Sequence, residues 1–151
     1  MKKYKRFMTT KQRRSYDCGI TCVLNILRFN GIRVKRSDFR SILKDKDIKR
    51  NGASMYDLIK LVEAYGLKAQ GVKGDFEGLQ KMGTEPAILM VQVRPGRWHC
   101  IVVYEINEKM VTIADPCPWV ARISHMSKDV FAQKYEWCGE AILCQQKLKN
   151  L

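Results

Sequence analysis

The stretch Tyr16-Asp17-Cys18-Gly19-Ile20-Thr21-Cys22 opens the first strongly patterned segment of this chain. From Cys18 to Phe29 the apolar side chains recur at helical spacing, and Asp17 stands where a residue that caps a helix start is expected. Asn30-Gly31 is a typical helix end. The sequence therefore predicts an N-terminal helix that begins at Cys18.

Outside this helix, the pattern of apolar residues is helical as far as Gly66 and mainly β-like after it. A short helix is predicted from Ser37 to Leu43 with Ser37 as its cap, and a third helix is capped by Ser54 and stopped by Gly66. Short β-like runs follow at 67–72, 87–93, 100–106 and 110–114, then a helix at 127–135 and a last strand at 141–145. Helices followed by antiparallel strands predict an α+β fold, with the N-terminal helices packed on an antiparallel sheet.

Length and composition favour one domain that covers residues 1–151. The chain has 151 residues, of which 46% are hydrophobic, enough for a single core. No stretch approaches the roughly 18 consecutive apolar residues of a membrane-spanning helix. The basic arm at about 1–14 is not followed by the apolar run of a signal peptide.

The six cysteines have several possible roles. Three disulfides are disfavoured, because a chain of this size has a core to stabilise it and no signal directs it to an oxidising compartment. A zinc site is disfavoured because the sequence has no Cys-x-x-Cys pair and only two histidines. Free and mostly buried thiols are the simpler interpretation.

The formal net charge of +13 indicates an acidic partner without identifying it. Nucleic acid, an anionic membrane surface and an acidic peptide are all compatible with it. We find no zinc-finger spacing, Gly-x-x-Gly clamp or aromatic strand pair typical of nucleic-acid binding, so we expect no nucleic-acid partner.

Cys18 is the candidate nucleophile. A thiol attacks a carbonyl as its thiolate, and a helix N-terminus or a nearby imidazolium lowers its pKa. Cys18 stands at a predicted helix start, whereas Cys22, one turn later, is better explained as a core residue. Taken alone, Cys18 fits a buried structural thiol equally well.

The general base is either His99 or His125. His99 directly precedes the predicted strand 100–106, and Asp115 directly follows the strand 110–114. If these strands form a hairpin turning near Asn107, the two side chains lie side by side, and Asp115 orients the imidazole toward Cys18. We favour His99, because His125 has no such carboxylate nearby.

Acyl transfer also needs hydrogen-bond donors aimed at the developing oxyanion. The backbone N–H of Cys18 is one donor. Gln12, six residues upstream, is the candidate for a second. The order Gln12, Cys18, His99, Asp115 is the layout of a papain-like cysteine peptidase.

With these residues assembled, the chain resembles the double-glycine leader peptidase family, the peptidase domain of bacteriocin-processing ABC transporters. The resemblance runs from Gln12 to about residue 143 and is carried by four features: Gln12 six residues before Cys18, Asp17-Cys18-Gly19, His99 leading an apolar strand, and Ala114-Asp115-Pro116. It implies a papain-like fold with Cys18 as nucleophile, His99 as acid and base, Asp115 as its orienting partner and Gln12 as oxyanion donor.

The resemblance also implies the substrate. Family members cut the precursors of bacteriocins, lanthipeptides or peptide signals after a Gly-Gly or Gly-Ala pair that ends an amphipathic leader. Trp98 is expected to wall the channel at the nucleophile, and Tyr56 and Ile59 are candidate leader-groove residues, with core packing as the alternative for Ile59. One departure from the family pattern is Cys100, which stands where Phe usually follows the histidine.

No cofactor or metal is expected in this domain, because ATP would bind a transporter part that the sequence lacks. The membrane-spanning part is also absent, and we expect a domain excised from an ABC transporter that works at the cytoplasmic face of the membrane. The alternative function is a non-catalytic peptidase-like domain that only docks secretion substrates.

Overall fold

The computed structural model describes residues 11–13, 16–43, 52–81, 86–120 and 123–146. Most of the predicted basic arm at 1–14 lies outside these residues. The first helix, α1, spans Cys18–Phe29 and is followed by a short 3-10 helix at Arg36–Ser41. The other helices are α2 at Met55–Ala64, α3 at Phe76–Lys81 and α4 at Lys128–Lys134.

The strands of the described residues form one antiparallel sheet. They are β1 Leu67–Lys73, β2 Ala87–Arg94, β3 Arg97–Ile106, β4 Met110–Ala114, β5 Ser124–Ser127 and β6 Glu136–Gln146. Their order in the sheet is β1-β6-β2-β3-β4-β5. Since α1 and α2 pack on this sheet, the predicted α+β class with N-terminal helices on an antiparallel sheet is confirmed.

Alternate side chains of the central strands enter two separate cores, one on each face of the sheet. Val102 of β3 belongs to the larger core, while its neighbours Ile101 and Val103 belong to the smaller one. Helices α1 and α2 cover the larger core with Cys22, Val23, Ile26, Leu27, Leu58, Leu61 and Val62. Helices α3 and α4 cover the smaller core with Leu79 and Phe131. Tyr135, which follows α4, belongs to the same core.

Gly19 lets α1 and α2 approach each other closely. A Cβ atom at this position would lie 3.1 Å from both δ carbons of Leu58, a fully buried residue of α2. Helix α2 starts with a capping box, in which the Ser54 hydroxyl accepts from the Asp57 N–H (3.1 Å) and Asp57 Oδ2 accepts from the Ser54 N–H (3.0 Å). The predicted cap by Ser54 is confirmed.

Two other predicted caps are wrong. Asp17 precedes α1, but its carboxylate accepts from the Arg13 N–H (3.3 Å) and pairs with Arg36 (3.5 Å) instead of capping the helix. The second helix is a 3-10 turn that starts before Ser37, because the Asp38 carboxylate accepts from the Lys35 N–H (2.8 Å). The Asp17 carboxylate is thus taken by competing partners, whereas the Asp38 carboxylate caps a start that lies before Ser37.

The structure adds two elements that the pattern did not indicate, α3 and β5, and it lengthens β3 and β6 by three or more residues. Both added elements are too short to show a clear periodicity. The last strand starts at Glu136 because Gly139, with φ +94, continues the strand through a shift in register instead of ending it. A Cβ atom at Gly139 would lie 2.7 Å from the Gly74 carbonyl oxygen, so glycine is needed there.

The predicted hairpin of β3 and β4 is confirmed, with its turn at Asn107. The Asn107 N–H donates to the Met110 carbonyl (3.0 Å), and the Asn107 side chain accepts from the Met110 N–H (2.8 Å). Val102 lies opposite Ala114, and the register shifts between Val103 and Glu105. This hairpin carries His99 and Asp115 to the same end of the sheet.

Candidate active site

Cys18 is the first residue of α1 and is partly buried against the larger core. The Cys100 thiol and the His99 imidazole are near enough to Cys18 to change its pKa. The hydrogen bond from Cys100 and the hydrogen bond and positive charge of His99 lower the pKa of Cys18 to about 5, although burial raises it. At neutral pH this group is therefore a thiolate beside an imidazolium.

The His99 ring is held by Asp115 on its other side. His99 Nε2 lies 2.7 Å from Asp115 Oδ1, so Nδ1 is the ring nitrogen left for Cys18. Burial lowers the pKa of His99, but the hydrogen bonds and negative charges of Asp115 and Cys18 outweigh burial and raise it to about 9. The structure thus brings together the three residues that the sequence nominated for the chemistry.

The sequence expectation for the pairing of His99 with Asp115 needs one correction. The observed register places Val102 opposite Ala114, so the residue opposite Asp115 would be Ile101 instead of His99. The imidazole crosses this two-residue offset diagonally, a reach that long side chains achieve on a sheet. The register shift beside Tyr104 could not be located from residue spacing alone.

Asp115 is almost fully buried, and both its oxygens are hydrogen-bonded. Oδ1 also accepts from the Cys117 N–H (2.8 Å), while Oδ2 accepts from the Tyr135 hydroxyl (2.5 Å). Burial raises the pKa of Asp115, but His99, Tyr135 and the Cys117 amide together lower it. These donors keep the carboxylate ionised despite its surroundings.

Tyr135 is a site residue that the sequence did not reveal. It follows α4 and packs at 5.0 Å, centroid to centroid, against Phe131 in the smaller core. Cys18 reaches the site from the helices on the opposite face of the sheet. The two cores therefore meet at Asp115, a contact between residues too distant in sequence for any local pattern to indicate.

The segment that carries Gln12 lies against the loop that follows Asp115. The Gln12 N–H donates to the Pro116 carbonyl (2.8 Å), and Lys11 Nζ donates to the carbonyls of Asp115 (3.1 Å) and Val120 (2.7 Å). The structure thus places Gln12 beside the loop that follows Asp115, and its role as oxyanion donor stays a prediction.

Arg36 is a second residue that the sequence did not single out. Its guanidinium donates to the Lys11 carbonyl and to the Thr21 hydroxyl (3.2 Å), and it pairs with Asp17. It therefore ties the segment before Gln12 to the start of α1, directly beside Cys18.

The three predicted leader-groove residues have different surroundings. Trp98, beside His99 on β3, is 57% exposed, and Tyr56 on α2 is 70% exposed. Ile59 is partly buried and packs against the larger core, so its predicted alternative role in packing has structural support. Trp119, in the loop after Asp115, is 92% exposed and was not nominated by sequence.

Cys22 and the second histidine lie outside this group of interacting side chains. Cys22 is fully buried in the larger core, and burial raises its pKa well above the ordinary value, as a structural thiol requires. His125 lies on β5, at the edge of the sheet, where its Nδ1 is 2.9 Å from the Thr112 hydroxyl. In the described part of the chain, His, Cys, Asp and Glu side chains form no group of three or more placed to hold a metal ion.

Known proteins with similar sequences carry comparable domains. The sublancin-168-processing and transport ATP-binding protein of Bacillus subtilis is 28% identical over 139 residues, which is 89% of this chain and 19% of that protein. The pediocin PA-1 transport/processing ATP-binding protein of Pediococcus acidilactici is 28% identical over 134 residues, or 88% of this chain and 18% of its own length. This chain spans about a fifth of the length of these relatives.

Solved structures share the fold. The peptidase domain of Streptococcus ComA, a bi-functional ABC transporter, superposes with a TM-score of 0.77 at 24% identity, covering 94% of this chain and 100% of that domain. A double glycine motif protease from an AMS/PCAT transporter, solved in complex with the leader peptide, gives 0.73 at 20% identity, covering 94% and 96%. The predicted papain-like peptidase fold is confirmed.

The family follows from a match along nearly the whole chain. The model of the peptidase C39 family covers residues 6–149, a range that includes Gln12, Cys18, His99 and Asp115. The resemblance seen in the sequence is thereby confirmed. This chain belongs to the peptidase C39 family and is a cysteine peptidase.

Proposed function

We propose that this peptidase removes N-terminal leaders from precursor peptides by cutting after a Gly-Gly or Gly-Ala pair. The observation that carries the proposal is the placement of Cys18 beside His99, whose imidazole is hydrogen-bonded to Asp115, which in turn accepts from Tyr135. Relatives described as processing and transport proteins for sublancin and pediocin support the substrate class.

The geometry supports the following reaction. The Cys18 thiolate attacks the carbonyl of the second small residue, and the Cys18 N–H and the Gln12 side-chain amide stabilise the oxyanion. The His99 imidazolium protonates the departing amine, which leaves the leader as a thioester on Cys18. His99 then accepts a proton from water, the water attacks the thioester, and the leader leaves with a free carboxyl group.

We also infer that the peptidase acts with the membrane and ATP-binding parts of a peptide exporter, at the cytoplasmic face of the membrane. The relatives named above support this arrangement. Among the helices of the described ranges, none has the length and apolar character that crossing a lipid bilayer requires. The net charge of +13 favours leaders with acidic residues on their polar face.

A direct test is incubation of the protein with synthetic precursors, followed by mass spectrometry of the products. A leader ending in Gly-Gly should be cut after the second glycine, because small residues fit a narrow channel at Cys18. A matched precursor ending in Leu-Leu serves as the control and should stay intact. Equal cleavage of both precursors would contradict the proposed specificity.

The pH dependence of cleavage should be bell-shaped. Because the pKa of Cys18 is lowered to about 5, kcat/KM should rise as the pH increases through about 5, where the thiolate forms. Because the pKa of His99 is raised to about 9, kcat/KM should fall above about 9, where the imidazolium loses the proton it must donate. A rise only near the ordinary thiol value of 9.0 would contradict the ion pair.

Tyr135 is expected to act as a positioning residue through Asp115. The Tyr135→Phe variant should lower kcat about 10-fold, because a hydrogen bond to a charged group contributes roughly 1.5–3 kcal/mol. The acid limb of the pH profile, which reports on Cys18, should move to higher pH. The Tyr135 hydroxyl helps to keep the pKa of Asp115 low, and the Asp115 charge supports the His99 imidazolium that lowers the pKa of Cys18. KM should change little, because the Tyr135 side chain is buried.

The matched control for Tyr135 is Phe131→Leu. This substitution disturbs the same aromatic packing but keeps the hydroxyl, so it should lower the melting temperature without moving the acid limb. Superimposable pH profiles for the two variants would show that Tyr135 has only a structural role.

A further inference from the structure

Cys18 has a second thiol as its neighbour. Cys100 directly follows His99 on β3, is 9% exposed and belongs to the larger core against which Cys18 packs. Helix α1 packs directly on β3, and Cys18 packs against the core cluster that contains Cys100, so that each thiol changes the pKa of the other. The Cys100 thiol donates to Met90 Sδ (3.5 Å).

We propose that Cys18 and Cys100 form a site of reversible oxidative modification, at which a hydroperoxide converts the two thiols into a disulfide. In the first step the Cys18 thiolate attacks the peroxide oxygen and the O–O bond breaks, which forms Cys18 sulfenic acid, while the His99 imidazolium protonates the leaving oxygen and an alcohol or water departs. In the second step the Cys100 sulfur attacks the sulfenic sulfur. The S–S bond forms, and the sulfenic oxygen leaves as water with the Cys100 proton.

The surroundings of Cys100 favour this order of events. Before oxidation, its hydrogen bond to Cys18, burial and the negative charge of Cys18 keep the Cys100 thiol protonated. Cys18 is therefore the thiolate that meets the peroxide first, because thiolates react and thiols do not. Once Cys18 is a neutral sulfenic acid its charge no longer opposes ionisation of Cys100, and His99 is close enough to Cys18 to receive the proton.

The other cysteines fit the second role less well. Cys22 lies on the same helix as Cys18, one turn later and within the core, where the Cβ atoms of such a pair are about 5–6 Å apart, farther than the roughly 3.8 Å that a disulfide requires. Cys138 is exposed, and its thiol donates to the Met90 carbonyl (3.7 Å). Cys100 follows His99 on β3, in the core against which Cys18 packs, and it is the neighbouring thiol with the largest effect on the pKa of Cys18.

The site has a functional consequence that rests on the proposed role of Cys18. A disulfide removes the nucleophile and stops cleavage, whereas a dithiol restores both thiols. Without a resolving thiol, the sulfenic acid proceeds to sulfinic and sulfonic acids, which dithiols do not reduce. Cys100 therefore protects the enzyme from irreversible oxidation as well as switching it off.

The test treats the purified protein with hydrogen peroxide, blocks free thiols and maps peptides by mass spectrometry without reduction. We expect a cross-linked pair that contains Cys18 and Cys100 and disappears with dithiothreitol. This readout needs no precursor cleavage, so it stands apart from the proposed function. Absence of the cross-link, with Cys18 found as sulfinic acid or joined to another cysteine, would overturn the proposal.

Matched variants give a second readout. Each protein is oxidised and then treated with dithiothreitol, and its precursor cleavage is compared with its own untreated activity. The Cys100→Ser variant should recover a roughly fivefold smaller fraction than the parent protein, because its Cys18 is over-oxidised. The Cys138→Ser variant should recover like the parent, and equal recovery by Cys100→Ser would overturn the protective role.

Discussion

Replacing Cys18 with alanine is expected to abolish cleavage of a Gly-Gly precursor, with a fall in kcat on the order of 10⁴-fold or more. The reason is that Cys18 supplies the thiolate beside the His99 imidazolium, and no other group in contact with His99 can form the acyl intermediate in its place. Binding of the leader should persist, because the substitution removes only the sulfur atom. Product analysis by mass spectrometry measures cleavage, and fluorescence anisotropy of a labelled leader measures binding.

Cys22→Ala is the matched control for this result. It removes a sulfur atom one helical turn away, from a fully buried core residue, so it should cost some thermal stability and leave kcat nearly unchanged. Undiminished cleavage by Cys18→Ala would contradict the nucleophile assignment. Loss of leader binding together with cleavage would indicate that Cys18 also helps to hold the leader.

The second large effect is expected from His99→Ala, with kcat about 10⁴-fold lower. Without the imidazole, Cys18 loses the hydrogen bond and the positive charge that lower its pKa, and the departing amine loses its proton donor. Alkylation of Cys18 by iodoacetamide at neutral pH should slow in parallel, because less thiolate is present. This second measurement reports on Cys18 independently of substrate binding.

His125→Ala controls for the loss of a histidine. Its imidazole lies on the edge strand β5 beside Thr112, so its removal should leave kcat and the alkylation rate of Cys18 close to those of the parent protein. A variant at His125 that is as damaged as His99→Ala would contradict the choice between the two histidines.

The elements predicted correctly are those whose signal is local. Helix α2 is indicated by the capping residue Ser54 and by apolar side chains at helical spacing. The hairpin is indicated by two apolar runs on either side of Asn107. The elements that were missed, α3 and β5, are short, and each is stabilised by packing on the sheet more than by its own pattern. The false caps at Asp17 and Ser37 fail for a related reason, since each prediction ignored a competing polar partner.

The candidate site likewise contains residues that local sequence signals could nominate and contacts that they could not. Gln12, Cys18, His99 and Asp115 could be nominated from residue type, order and position at element ends, and the structure places Cys18 beside His99, which is hydrogen-bonded to Asp115. Their catalytic roles stay predictions until the variants are measured. Trp98 and Tyr56 are exposed, as a docking surface requires, but their contact with a leader is likewise a prediction.

By itself, the sequence determined the family, the helix that starts at Cys18 and the set of groups able to do the chemistry, because these depend on residue type and short-range spacing. Only the tertiary structure decided that Tyr135 supports Asp115, that Arg36 ties the Gln12 segment to α1, and that Cys100 contacts the Cys18 thiol. Each of these contacts joins separate segments across the sheet or between its layers. The free energy of such contacts comes from burial and hydrogen bonds that form as the chain folds, and local sequence patterns do not indicate them.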